Sequence, residues 1–465
     1  MTPLSAERIV KRTRSRCPAC RGEVPAQVVE RGGAIFLEKT CPAHGAFSVR
    51  LQSDARWYFE SHGAAANAAE SCCGGGHCAP TGLSIGGVGV VDPAGAAEGR
   101  GMQADPFETL STCIALIEIV ESCNLTCPTC YAESPYGVGT DVRHATFDEI
   151  VRRVEGVCAR KGSIDILQLS GGEPTIHPEF ERILRWTVEN PSIGYVLVNT
   201  NAVRIAGDER FRRMLSEVRR EHPRFELYVQ FDGVQSEGQV ELRGADLRAL
   251  RERAIDSAGA LGVPTTLAMV IDERTIGGIG DTLRWALGRP HVRGISLQPV
   301  FTSGRIAPIE SRTLPVLSGP PAHAVAIGVS EVVRACTMQA PELLVDADFT
   351  PLPCGDPNCH TIAYLLRMPD GPIGLGRMID LPKHAGFLRD RIDYRLEDLA
   401  RCGCETEPLG ELLKSLELGP QHPFRIFIKP FMDAWTFDQD RIDRCCTHVI
   451  REDGSLDSFC RHYAR

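Results

Sequence analysis

The sequence predicts an α/β chain: an open, partial (β/α)6 TIM-like barrel, preceded by a small metal-binding ribbon and followed by a cysteine-rich region. Three observations predict it. Between residues 112 and 300, apolar β-branched runs alternate with helical patterns. Cysteines, 19 in all, gather in tight clusters before, within and after this stretch. No Gly-x-Gly-x-x-Gly follows the first apolar run, which counts against a dinucleotide-binding sheet. A flat doubly wound sheet is the alternative.

The elements follow in order. Ile114 to Val120 is apolar and β-branched, a first strand. Thr146-Phe-Asp-Glu149 is a capping box that opens an amphipathic helix. Ile164 to Leu169 is the second strand, with a helix from about Pro178; Tyr195 to Asn199 is the third, with a helix near Glu209 to Glu221. Phe225 to Phe231, Thr265 to Ile271 and Gly294 to Gln298 supply three more, with helices between. Six such units in succession favour a parallel sheet with right-handed crossovers, short of the eight that close a barrel. The predicted domains are 1–62, a ribbon or rubredoxin-like metal domain; 63–111, a Gly/Ala-rich linker; 112–320, the barrel; and 321–465, an auxiliary region of irregular, metal-tethered structure.

Composition narrows the class. Apolar residues make up 43% and charged residues 24%, ordinary for a globular chain, and the formal charge of −9 argues against a nucleic-acid partner. Met1 to Arg16 lacks the apolar run of a secretory signal, and no stretch approaches eighteen apolar residues. The expectation is a cytoplasmic protein, with peripheral membrane contact left open. In a reducing compartment, clustered cysteines bind metal more often than they form disulfides. Cys158, inside a helical pattern, reads as a core residue.

The segment Glu121-Ser-Cys123-Asn-Leu-Thr-Cys127-Pro-Thr-Cys130-Tyr131 follows the first strand. Its Cys-x3-Cys-x2-Cys spacing lets one short loop wrap three thiolates around a 4Fe-4S cluster. One iron then has no protein ligand and is open to the amino and carboxylate groups of a methionine moiety. A structural zinc knot is the alternative, weakened because the loop lies at the C-terminal end of a strand, where barrel active sites are built.

This segment resembles the signature of the radical S-adenosylmethionine (SAM) superfamily. The resemblance implies that Cys123, Cys127 and Cys130 are the cluster ligands and catalytic residues. Ser170-Gly171-Gly172-Glu173-Pro174 after the second strand is similar to the Gly-Gly-Glu-Pro motif that holds the SAM amino group. Asn201 after the third strand, and Gln230 and Asp232 after the fourth, are implied contacts to SAM or substrate. Thr129 stands where the superfamily often has a large apolar residue, and Tyr131 is the candidate to compensate.

The remaining cysteines predict further metal. Cys17-x2-Cys20 and Cys41-x2-His44 form two knuckles, fitting zinc or a mononuclear iron, with His44 or a linker cysteine as fourth ligand. Cys72, Cys73, Cys78 and Cys113 are candidates for one auxiliary 4Fe-4S cluster. Cys354, Cys359, Cys445, Cys446 and Cys460 are candidates for another, and Cys402-Gly-Cys404 carries a weaker signal. The whole layout resembles the tetraether lipid synthase group, which also takes in pterin-type radical SAM methyltransferases. The linker Cys72-Cys73-Gly-Gly-Gly-His-Cys78 departs from that group's spacing.

The leading expectation is attack on an unactivated C–H bond of a lipid alkyl chain, with carbon–carbon bond formation. Radical methylation of a pterin-like heterocycle and peptide modification are the alternatives. A flavodoxin- or ferredoxin-type electron donor is the implied partner. A zinc-stabilised binding protein without catalysis would leave Gly171, Gly172 and Glu173 unexplained.

Overall fold

The computed structural model describes residues 7–60, 107, 112–306, 322–351, 355–378 and 422–464. Cys72, Cys73, Cys78, Cys354, Cys402 and Cys404 lie outside the described residues.

The chain opens as an antiparallel meander of β1 (Arg8–Arg16), β2 (Glu23–Arg31), β3 (Ala34–Cys41) and β4 (Gly45–Gln52). The β2–β3 hairpin turns on Gly32 and Gly33, both at positive φ, as a two-residue primed turn requires. The other two turns, 17–22 and 41–45, lie together at the opposite end of the meander and carry the two knuckles. Val28, Ile35, Leu37 and Val49 bury one face. A later strand, β11 (Ala322–Val325), adds in parallel to β4.

The six predicted barrel strands form in the predicted order. They are β5 (Ile114–Val120), β6 (Ile164–Gly171), β7 (Ile193–Thr200), β8 (Phe225–Gln230), β9 (Thr265–Ile271) and β10 (Val292–Pro299), each parallel to the next. The Thr146 capping box is present, with Glu149 N–H donating to Thr146 Oγ1 and Thr146 N–H to Glu149 Oε2. Alternate strand residues divide the labour. Leu167, Val196, Leu227, Leu267 and Ile295 enter the main core. The intervening positions face the barrel axis and leave a cavity rather than filling it.

The tail is more regular than its sequence suggested. After β12 (Thr350–Pro351), β13 (Thr361–Met368) and β14 (Gly371–Gly374) come β15 (Pro423–Ile428), β16 (Thr447–Ile450) and β17 (Leu456–Ser458). Strand β15 pairs in parallel with β10, and β16 in parallel with β5. Eight parallel strands thus stand side by side among the described residues, six from the barrel and one at each edge. Strands of four to six residues are too short to print a period on the sequence. No helix among the described residues is long and apolar enough to cross a membrane.

Candidate active site at the barrel mouth

The loop after β5 is tied down on three sides by its backbone. Cys123 N–H donates to Pro135 O (2.8 Å), Thr129 N–H to Leu242 O (3.3 Å), and Cys130 exchanges hydrogen bonds with Arg305 (2.8 and 3.0 Å). Cys123, Cys127 and Cys130 all line one cavity of about 280 Å³. Burial, then the nearby charge of Glu173, pushes the Cys123 thiol up to about 12. A thiolate there needs a compensating cation.

The donor set separates a cluster from a single ion. Cys17, Cys20, Cys41 and His44 bring their ligand atoms all within 4.8 Å of one another, and they are the one such group among the described residues. The triplet is not part of that four-donor group.

The Gly-Gly-Glu edge meets this loop directly. Gly172 N–H donates to Val120 O (2.8 Å) and Glu173 N–H to Ser122 O (3.1 Å). A Cβ on Gly171, whose φ is +121°, would lie 1.9 Å from Val120 O, and one on Gly172 would lie 2.1 Å from Ser122 O. The close approach these glycines permit is to the chain's own backbone. Glu173 is buried, and its Oε1 accepts from Thr175 N (3.3 Å), Thr175 Oγ1 (2.6 Å) and Thr200 Oγ1 (2.8 Å). Its Oε2 accepts from Asn201 N (2.6 Å) alone, which leaves that oxygen a second acceptor position, and the residue lines the cavity. Burial raises its pKa, against the pull of those donors. Asn201 Nδ2 donates to Asn124 Oδ1 (2.7 Å) and reaches Cys123 Sγ (3.7 Å).

Gln230 lines the cavity, and its Nε2 donates to Asp232 Oδ1 (2.8 Å). Asp232 itself is committed to guanidinium groups: Arg243 Nε (2.6 Å) and Nη2 (2.8 Å), and Arg251 Nη1 (3.1 Å). Burial alone would raise its pKa, but the charge and hydrogen bonds of Arg243, with the charge of Arg251, hold it at about 2. Arg243 and Arg251 face the cavity, and Arg251 Nε and Nη2 have no partner among the described residues. Sequence reasoning missed both arginines. Each meets Asp232 only through the fold, and no local pattern marks them.

Deeper in the barrel the wall mixes apolar faces with placed polar groups. Ile114, Ile166, Leu197 and Phe427 alternate with paired side chains. Gln168 Nε2 donates to Asn199 Oδ1 (2.6 Å), and Gln298 Nε2 to Tyr228 Oη (2.7 Å). Glu226 accepts from Thr266 Oγ1 (2.8 Å), Arg425 Nη2 (3.5 Å) and Tyr195 Oη (3.4 Å). Lys429 stands over the Phe431 ring at 5.1 Å.

At the ribbon, Cys41 Sγ is 3.5 Å and Cys17 Sγ 3.7 Å from His44 Nδ1, and Cys20 Sγ is 3.9 Å from Cys41 Sγ. Among the described residues His44 is the fourth donor. Its hydrogen bond lowers the Cys41 thiol to about 6.

In the tail, Cys359, Cys445 and Cys460 are half-buried near one another; desolvation pushes each thiol up, to about 12, 12 and 11. Arg441 Nη2 donates to Cys359 Sγ (3.4 Å) and Met432 N–H to Cys460 Sγ (3.3 Å). Cys446 packs towards Gly355, and its carbonyl accepts from Cys113 N–H (3.1 Å).

Comparison with known proteins fits this geometry. Residues 9–53 match the HMPTM N-terminal zinc ribbon domain, and residues 117–286 match the Radical SAM superfamily. The chain is 24% identical over 519 positions to the 7,8-dihydro-6-hydroxymethylpterin dimethyltransferase of Methanocaldococcus jannaschii, covering 97% of this chain and 93% of that one. It is 24% identical over 188 positions to the mycofactocin maturase MftC of Mycobacterium ulcerans, 38% of this chain and 47% of the relative. The crystal structure of Streptococcus suis SuiB bound to S-adenosylmethionine superposes with a TM-score of 0.34 at 13% identity, over 41% of this chain and 42% of that one. The triplet loop and the Gly-Gly-Glu edge both fall inside the 117–286 match, so geometry and likeness describe one and the same radical SAM domain within this chain.

Proposed function

We propose that this enzyme methylates a pterin-type heterocycle. The observation that carries the reading is the cavity wall. Apolar faces suit a flat ring, while Glu226, Arg425 and the carboxamides of Gln168 and Asn199 suit a ring edge rich in donors and acceptors. A lipid alkyl chain, the leading expectation from sequence, would strip water from these groups without replacing a single hydrogen bond. The Methanocaldococcus jannaschii relative, named for a dihydropterin substrate and matched nearly end to end, supports the same choice.

Cys123, Cys127 and Cys130 would hold the 4Fe-4S cluster, with SAM beside it against Gly171, Gly172, Glu173 and Asn201. When bound, that pair supplies one-electron cleavage of a sulfonium and hence a carbon radical able to take hydrogen from a C–H bond. The chain's own residues bind and orient. Glu173 Oε2 offers its remaining lone pair to an ammonium. Arg251, with two unpartnered N–H groups, offers a carboxylate partner. Asp232 fixes Arg243 and Arg251 at the rim. Phe301, Phe431 and Phe459 pack as tilted rings along the cavity and keep water from a reactive intermediate.

Cys359, Cys445 and Cys460 suit an auxiliary cluster, and the ribbon suits a structural zinc ion. A flavodoxin- or ferredoxin-type protein is the electron donor this chemistry calls for.

The test is anaerobic turnover of the reconstituted, reduced enzyme with 6-hydroxymethyl-7,8-dihydropterin and SAM. One SAM is spent on hydrogen abstraction, and the methyl carbon comes from a separate donor, supplied in two arms as excess SAM and as a methylene-carrying tetrahydropterin. Mass spectrometry should find a methylated pterin together with 5′-deoxyadenosine. Product from an alkyl lipid, with none from the pterin, would overturn the reading.

A further inference from the structure

The cavity wall holds two carboxylates, Glu173 and Glu226. Glu173 stands beside the cysteine loop, its Oε1 taken by three donors of the chain and its Oε2 by one. Glu226 stands at the far end, near the start of β8, with Tyr228 and Gln230 facing the same way above it. A glutamate 2% exposed on a central parallel strand is a costly placement, since such strands ordinarily carry apolar residues on both faces.

Its partners do not exhaust it. Oε1 accepts from Thr266 Oγ1 (2.8 Å) and, at 3.5 Å, from Arg425 Nη2. Oε2 takes only a long bond from Tyr195 Oη (3.4 Å). A carboxylate has about four acceptor positions, so Glu226 keeps room for a ligand's donors. Arg425 stands beside it on the cavity wall.

We infer that Glu226 reads the cyclic guanidine edge of the substrate's pyrimidinone ring, accepting from its ring N–H and its 2-amino group. The inference rests on the pterin reading above and names the residue that selects for it. Two parallel N–H donors facing two carboxylate oxygens form the bidentate pattern familiar from guanidinium–carboxylate pairs. A guanine ring presents the same edge, so both ring systems belong in the test.

Calorimetric titration of the full-length, zinc-loaded chain makes the test without turnover. Three ligands are used: 6-hydroxymethyl-7,8-dihydropterin, its lumazine counterpart with oxygen in place of the 2-amino group, and guanosine. The native chain should bind the dihydropterin at least about tenfold more tightly than the lumazine, since the exchanged oxygen faces a carboxylate. Glu226→Gln should reverse that order, because a carboxamide accepts from the ring N–H and donates to the new oxygen. Equal affinity of the native chain for pterin and lumazine overturns the assignment, and this comparison needs no variant. Unchanged pterin preference in a folded Glu226→Gln chain also overturns it. Guanosine binding that depends on Glu226, without pterin binding, supports the edge recognition and overturns the pterin reading.

Discussion

Lys429 Nζ donates to Thr447 Oγ1 across 2.9 Å, joining the residue after β15 to the first residue of β16. These strands flank opposite edges of the six-stranded barrel sheet, so one side-chain hydrogen bond spans the seam between its ends. Lys429 is 9% exposed and forms no ion pair among the described residues. Thr447→Val should therefore cost about 1–3 kcal/mol, because it strands a buried ammonium. Lys429→Met should cost less, since it removes the charge as well. Thermal melts of the two variants decide it, and equal losses would mean the seam carries no strain-free cation of this kind.

The triplet variant Cys123→Ala/Cys127→Ala/Cys130→Ala should lose reductive SAM cleavage while the ribbon keeps its zinc. The two sites share no residue. Release of 5′-deoxyadenosine under dithionite by this variant would refute the ligand assignment.

Metal analysis should find about eight irons and about one zinc per chain if both the barrel and the tail cysteines hold four-iron clusters. Cys445→Ala/Cys460→Ala should bring iron down to about four with SAM cleavage retained. A native chain that saturates at about four irons removes the tail cluster.

Glu173→Gln places an NH2 group among donors from Thr175, Thr200 and Asn201. Two effects are expected together: a loss of roughly 1–3 kcal/mol in stability from mismatched donors, and roughly tenfold weaker SAM binding. Electron paramagnetic resonance during SAM titration reads the second. A lowered melting point with native SAM affinity would make Glu173 a purely structural residue.

Asp232 supplies the pH dependence. Its folded pKa of about 2 lies below the ordinary 3.8, so its stabilisation is present above about pH 4 and disappears as pH falls through 2. Asp232→Asn, which leaves Arg243 and Arg251 without a counter-charge, should cost on the order of 3 kcal/mol at pH 7. The deficit should shrink towards pH 2. Denaturant midpoints at pH 7 and pH 3 test this, and a pH-independent deficit would show that charge is not its source.

Local signals carried much of the molecule. The six strands, the Thr146 capping box and both ribbon knuckles were legible because each depends on neighbours within a few residues. Cys123, Cys127 and Cys130 were legible for the same reason, since one loop holds all three. The role of Gly171 and Gly172 was half legible. Their need for glycine was plain, but the backbone they press on, Val120 and Ser122, lies some fifty residues earlier.

The sequence by itself determined the reaction class, because cluster chemistry demands closely spaced thiolates and spacing is written in the chain. Only the tertiary structure decided what stands opposite that cluster. Arg425 and Lys429 come from the tail, Glu226 from the fourth barrel strand, and they meet because β15 pairs with β10 and closes one side of the cavity. A contact between residues almost two hundred positions apart leaves no periodic trace, since side-chain pattern records which face a residue takes and not which partner it finds there.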